Sequence, residues 1–294
     1  MLNNICEIVE NVQLTNYNTY KINAKTKYLA LPKSKEEIIG LIKYLKANNI
    51  KYFILGNGSN VILPDNIFNG VVICLKNYNN YEIVDDKIIA SAGAMIPKIA
   101  NDAINISLKG LEWATGIPGT IGGSVVGNAG AYLHEIMEFV ESVEVLDKDL
   151  NIKKLDKKDI TYDYRYTNFK DDKSIVILSV TLKLEKGNKE ESLALVKDRL
   201  ERRQASQPLG YPSAGSVFRN PSSELPAGKI IEELGFKGKI IGGAIVSKLH
   251  ANFILNNGNA TSNDIKSLIK EIQDKVLNSY DINLKCEQEI VEWD

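Results

Sequence analysis

The chain has 294 residues, 44% hydrophobic and 25% charged, enough for two or three domains with a real buried core. With 36 Lys plus Arg against 37 Asp plus Glu, the net charge of −1 gives no basis for binding nucleic acid or an anionic membrane surface. Three scattered cysteines (Cys6, Cys74, Cys286) and two histidines (His134, His250) argue against a disulfide framework and a metal site. No apolar run approaches the ~20 residues of a membrane span, and MLNNICEIVENVQL does not read as a signal peptide, so a reducing, cytoplasmic setting is expected.

Residues 34–49 predict a helix: Ser34 caps it, Glu37 completes a capping box, and Ile38, Ile39, Leu41, Ile42 and Leu45 share one face. Tyr52 to Leu55 predicts a short buried strand ending at Gly56-Asn57-Gly58-Ser59-Asn60. Strands are expected at 60–63, 71–75, 81–84 and 87–91, and Pro97 is placed to open a helix carrying Ile99, Ala103 and Ile104. Residues 116–130, GIPGTIGGSVVGNAG, hold six of the 21 glycines.

Strands follow at 142–146 and 152–155, turning through Asp147-Lys148-Asp149, then a buried strand at 175–184 and a charged helix from about 189 to 204. Pro208, Gly210, Pro212 and Gly215 mark a composition shift, where a domain boundary is placed. Beyond it come a helix at 227–234 stopped by Gly235, strands at 244–247 and 252–255, and a helix at 262–279 capped by Thr261 with Asp264 in its first turn. A final strand is expected over roughly 282–291. The order of elements is α+β, without the strict strand–helix alternation of a parallel doubly wound sheet.

The turn Gly56 to Asn60 follows a buried strand, permits close ligand approach, and can present consecutive N–H groups as an anion nest. By itself it reads as a tight strand–strand turn. It is not a common dinucleotide fingerprint, because Val61 stands at the third glycine position and a strand-like run follows. No Gly-Lys-Ser/Thr makes it a P-loop. Together with 116–130 it suits a long ligand with a central pyrophosphate, such as FAD, although close packing of helix on strand accounts for some of those glycines.

Six segments carry a specific resemblance: LGNGSNVIL (55–63), GLEWATGIPGTIGGSVVGNAGAY (110–132), YRYTNFK (164–170), QPLGYPSAGSVFRNP (207–221), AGKIIEELGFKG (227–238) and SKLHANFILN (247–256). In this order the chain resembles the UDP-N-acetylenolpyruvoylglucosamine reductases, in the shorter type without an additional substrate-covering loop. The resemblance implies a p-cresol-methylhydroxylase-like (VAO-type) FAD-binding fold in two subdomains, residues 1–75 and 76–205, plus a C-terminal α+β substrate-binding domain, residues 206–294. It also implies bound FAD, NADPH as co-substrate, and reduction of the enolpyruvyl group on UDP-N-acetylglucosamine to UDP-N-acetylmuramate for peptidoglycan. No nucleic acid, membrane or obligate protein partner is implied.

That chemistry needs a cation near the substrate carboxylate, an acid that neutralises developing charge, and a proton donor to the α-carbon. By resemblance these are Arg165, Glu287 and Ser216. FAD contacts fall on Gly56, Asn57, Gly58, Ser59, Asn60, Gly116, Pro118, Gly119, Gly122, Gly123, Asn128, Gly130 and Ala131. Tyr162, Asn220 and Lys229 are substrate- or nicotinamide-side groups. Taken alone, Arg165 reads as a surface arginine stacked on tyrosines, Ser216 as a turn serine and Glu287 as a solvated strand glutamate. Glu289 is the alternative glutamate, because Gln288 stands where the family usually has an apolar residue, and Arg202 or Arg203 are phosphate candidates. Near the N-terminus Asn18-Thr19-Tyr20-Lys21-Ile22 matches the family, while Asn23-Ala24-Lys25 replaces its common glycine pair. His250 is read as a structural group. The competing functions are another FAD oxidase or dehydrogenase on the same fold, which rapid reoxidation by oxygen would favour, and a non-enzymatic binding protein, which a colourless preparation would favour.

Overall fold

Buried and exposed side chains along Val140–Leu146 and Val176–Lys183 favour burial, which places these two β-branched strands at the centre of a sheet. That antiparallel sheet has five strands, in the order Ile152–Asp156, Val140–Leu146, Val176–Lys183, Lys87–Ser91 and Tyr81–Val84. The structure, a computed structural model, describes residues 2–293 and divides into two units. The first runs up to Glu10 and includes Tyr28–Asn57 and Gly70–Glu201; the second comprises Asn11–Lys27, Gly58–Asn69 and the chain from Arg202 on.

In the first unit, helix α1 (Lys35–Ala47) buries Ile38, Leu41, Ile42 and Leu45. Ser34 accepts the Glu37 N–H at 3.2 Å, as expected of a cap, but the Glu37 carboxylate turns to the Lys33 N–H at 2.7 Å. Strand Tyr52–Leu55 lies parallel to Val71–Cys74. Helix α2 (Ile96–Asn105) has Pro97 in its first turn and buries Ile96, Ile99, Ala100, Ala103 and Ile104. Each isoleucine so removed from water contributes about 2 kcal/mol. A short helix α3 (Ile121–Gly127), capped by Thr120, lies inside the glycine-rich segment, and Asn128 ends it in the left-handed conformation. The single-turn α4 (Ile136–Phe139) follows, and α5 (Lys189–Ser206) is largely exposed and charged. The core of this unit gathers Trp113, Ile121, Val143, Val180 and Leu182 with the buried faces of α1 and α2.

In the second unit, α6 (Ala227–Glu233) buries Ala227, Ile230 and Ile231, and Gly235 follows it at φ +78°. A three-stranded antiparallel sheet runs Ile240–Ile241, Ala244–Val246, Ile254–Asn256. Helix α7 (Ser262–Tyr280) starts at a complete capping box between Thr261 and Asp264. The backbone N–H groups on the Asp264 carboxylate, Thr261 first, hold its pKa below the usual range. Buried residues of α6 and α7 share a core with Tyr20, Ile62, Val217, Phe218 and Leu284.

Two of the expected strands change. The final strand is not continuous over 282–291: only Glu289–Ile290 forms a ladder, parallel to Val61–Ile62, and Cys286 bridges singly to Phe218. The strand placed at 252–255 starts later, at Ile254, because the Asn252 side chain is taken up by the backbone of Phe218. Strands Glu7–Gln13 and Lys25–Leu31, with few buried positions in the first, carried no clear alternation in the sequence.

Candidate active site

The two glycine-rich segments meet within the first unit. A Cβ on Gly56 would sit 2.6 Å from Thr120 Oγ1, and Asn57 Nδ2 donates to the Pro118 carbonyl at 2.5 Å. The segment 119–123 is fastened by its own bonds: Ile121 N–H to Ala94 O (2.8 Å), Gly122 N–H to Ala92 O (3.0 Å) and Gly123 N–H to Thr120 Oγ1 (3.3 Å). A Cβ on Gly122 would meet that of Ala92 at 2.9 Å, so this glycine serves close packing.

The N–H groups of Asn57, Gly58, Ser59 and Asn60 behave differently, since none bonds to another described residue. Gly58 has φ +66°, and a side chain there would overlap the Tyr17 carbonyl at 2.2 Å. Consecutive open N–H groups around a left-handed glycine form an anion nest. The Ser124 hydroxyl, 3% exposed, also lacks a partner among the described residues. The open N–H groups of this turn fit the phosphates of a bound cofactor.

Arg165 sits in a two-residue hairpin turn between Tyr162–Asp163 and Tyr166–Thr167, at φ +57°. Its guanidinium donates to the Gly130 carbonyl at 2.6 Å and lies 4.9 Å from the centre of the Tyr164 ring. The C-terminal end of α3 holds this hairpin. Asn128, wholly buried, donates through Nδ2 to Asp163 O (2.9 Å) and accepts the Met137 N–H (3.3 Å), while Thr167 Oγ1 donates to Val126 O (2.9 Å). The Asn128 side chain is therefore committed to the chain's own backbone, and its N–H donates to Val125 O at 3.2 Å. Lys170 Nζ donates to the Arg165 carbonyl at 2.7 Å. Tyr162 is 40% exposed. Gly130 and Ala131 form a short pair with His134–Glu135, and Gly116, Pro118 and Gly119 precede the Thr120 cap.

Within the second unit, Ser216, Asn220 and Lys229 line one cavity of about 550 Å³, with Glu232, Glu233 and His250. The Ser216 hydroxyl is half-buried and bonds to no other described residue. Asn220 Oδ1 caps α6 by accepting the Ala227 N–H at 3.1 Å, and Lys229 Nζ stands 4.0 Å from Glu233. His250 Nδ1 accepts the Asn252 N–H at 3.2 Å, which leaves the proton on Nε2; burial, with Lys237 nearby, pushes its pKa down and keeps it neutral. Glu287 is half-buried, and its N–H donates to the carbonyl of Val217, the residue after Ser216, at 2.8 Å. Glu289 pairs with Val61, and its N–H donates to Asn60 O at 2.9 Å. Burial raises the Cys286 thiol to about 11, so it stands beside Glu287 as a neutral group.

Residues 207–291 match the UDP-N-acetylenolpyruvoylglucosamine reductase C-terminal domain, and residues 26–156 match an FAD binding domain. A UDP-N-acetylenolpyruvoylglucosamine reductase of Caldanaerobacter subterraneus subsp. tengcongensis is 43% identical over 281 residues, 96% of this chain and 92% of the relative. The chain belongs to the UDP-N-acetylenolpyruvoylglucosamine reductase family. A second member, from Caldicellulosiruptor saccharolyticus, is 40% identical over 287 residues, covering 97% and 92% of the two chains. The crystal structure of the Thermus caldophilus UDP-N-acetylenolpyruvylglucosamine reductase superposes with a TM-score of 0.82 at 29% identity, over 97% of this chain and 98% of that one. The family's fold is the VAO-type FAD-binding fold followed by its own C-terminal domain, so FAD is the cofactor and the chain is an oxidoreductase.

Sequence reasoning missed Thr120, whose place before a glycine-rich helix is visible as a cap signal only once that helix is known. It also missed Ser124, Lys170 and the buried amides of Asn252 and Gln288, whose partners are distant in the chain.

Proposed function

We infer that this chain reduces the enolpyruvyl ether of UDP-N-acetylglucosamine to UDP-N-acetylmuramate, with FAD bound and NADPH as electron source, in making the peptidoglycan precursor. One observation supports the substrate-side assignments: Ser216, Asn220 and Lys229 line one cavity, and the Glu287 N–H donates to the carbonyl of Val217, the residue after Ser216. The cofactor, when bound, supplies the hydride that reaches the β-carbon of the enolpyruvyl group. Residues 1–75 and 76–205 are assigned as its two binding subdomains, with contacts at Gly56, Asn57, Gly58, Ser59, Asn60, Gly116, Pro118, Gly119, Gly122, Gly123, Asn128, Gly130 and Ala131. Residues 206–294 are assigned to the substrate.

Arg165 offers a planar fork to the substrate carboxylate, where negative charge is delocalised after hydride arrival. Glu287, carrying a proton, donates a hydrogen bond to the same developing charge. Ser216 Oγ gives its proton to the α-carbon and is reprotonated from solvent; a hydroxyl suffices because the carbanion-like centre is far more basic. Lys229, Asn220 and Tyr162 hold the substrate. No helix among the described residues is long and apolar enough to cross a membrane, in keeping with work on a water-soluble nucleotide sugar in the cytoplasm.

The test is the visible spectrum of the purified protein. The yellow absorbance is expected to bleach with NADPH and to return on adding the enolpyruvyl sugar without oxygen. Return with oxygen alone, and none with the sugar, would put an oxidase in its place.

A further inference from the structure

Gln288 is 3% exposed and Tyr20 is wholly buried, both within the apolar core of the second unit. A buried polar group is costly unless its atoms find partners. Here the matching is close. The Tyr20 hydroxyl donates to Gln288 Oε1 at 3.0 Å, and Gln288 Nε2 donates to the carbonyls of Ala214 and Gly215, each at 3.1 Å. Burial pushes the Tyr20 phenol upward, so it stays protonated and acts as the donor. That fixes the orientation of the amide, oxygen toward tyrosine and nitrogen toward the two carbonyls. Tyr20 is itself tied down, its carbonyl accepting from Asn256 Nδ2 at 2.8 Å.

The two carbonyls belong to the residues directly before Ser216. Gly215 has φ +76°, yet a Cβ there would meet open space, so glycine is needed for the backbone angle alone. Such a turn is soft unless something holds it. The chain after Ser216 is held too: Val217 N–H donates to Asn252 O and Phe218 N–H to Asn252 Oδ1, both at 2.9 Å. Ser216 is thus the link between two clamped segments, and it lines the cavity. An aliphatic side chain at 288 would fill the core as well as a buried amide does, which points to geometry as the amide's task.

We propose that Gln288, oriented by Tyr20, is a positioning residue that sets the Ser216 hydroxyl for proton delivery to the substrate α-carbon. The proposal rests on Ser216 being the proton donor. The experiment compares Ser216→Ala, Gln288→Met and Tyr20→Phe holoenzymes with the native protein. Stopped-flow absorbance measures flavin reduction by NADPH and, separately, reoxidation by the enolpyruvyl sugar in H2O and D2O. Hydrogen exchange reports the amides of Gly215 to Val217.

Gln288→Met is expected to slow the second step tenfold or more, as a displacement of about 1 Å at a reacting group does, while the first stays within about twofold. Its solvent isotope effect rises and exchange at Gly215 to Val217 quickens. Tyr20→Phe, the milder change, shifts the same readouts in the same direction and decides the matter should Gln288→Met not fold. If Ser216→Ala is impaired while both network variants keep the native ratio of the two rates and the native isotope effect, the network is only a structural tie and the proposal is overturned. Equal slowing of both steps, or unchanged exchange, overturns it as well. An unimpaired second step in Ser216→Ala overturns the proton-donor reading and the positioning role with it.

Discussion

Arg165 occupies the second position of a two-residue hairpin turn at φ +57°, where glycine is the favoured residue. Holding a long side chain there costs on the order of 1 kcal/mol, so the guanidinium is kept against the local backbone preference. Arg165→Gly is therefore expected to leave thermal stability unchanged or slightly raised, while slowing reoxidation by the enolpyruvyl sugar by about 10²–10³. A variant that melts much lower with a normal second step would show that Arg165 is a structural arginine. The two glutamates are separated by the same kind of measurement. Glu287 donates its N–H to Val217 O, next to Ser216, while Glu289 is a ladder residue opposite Val61. Glu287→Gln is expected to lower kcat by at least tenfold more than Glu289→Gln; the reverse order would transfer the acid role to Glu289.

At the level of elements, the glycine-rich segments depend on contacts that leave no room for side chains. Gly56 packs on the Thr120 hydroxyl, which in turn caps α3, and the far end of α3 grips the Arg165 hairpin through Val126 and Asn128. The turn after strand Tyr52–Leu55 is in this way linked by direct contacts to the arginine. Gly56→Ala would place its Cβ 2.6 Å from Thr120 Oγ1, and overpacking of this kind costs about 1–3 kcal/mol. A lower melting temperature and weaker retention of FAD on dialysis are expected, with partial recovery of both in the Gly56→Ala, Thr120→Ala double variant. Full retention in the single variant would mean that the close approach has no bearing on the cofactor.

For the whole molecule, FAD binding is coupled to folding by mass action. A ligand held by the native chain alone stabilises it by about 2.7 kcal/mol at a free concentration of 100 times its Kd. Stripping the flavin should lower the melting temperature, and adding it back should restore the value in a concentration-dependent way. An identical melting curve for the two forms would say that the open N–H groups of residues 57–60 are met by something other than this cofactor.

Much of this was legible in the sequence because it depends on local physics. The 3.6-residue spacing of Ile265, Leu268, Ile269, Ile272 and Val276, with Thr261 and Asp264 at its start, determined α7 to within a residue. The strand-like runs at 81–84 and 87–91 were legible as strands, and the six resembling segments marked the family. The tertiary structure alone decided what depends on partners distant in the chain. Residues 282–291 contain strand-forming types, but only Glu289–Ile290 finds a continuous neighbour, because a ladder needs an aligned edge and not merely propensity. Gln288 looked like a polar interruption next to a glutamate. Its meaning came from Tyr20 and the turn before Ser216, which folding alone brings within hydrogen-bonding reach of one amide.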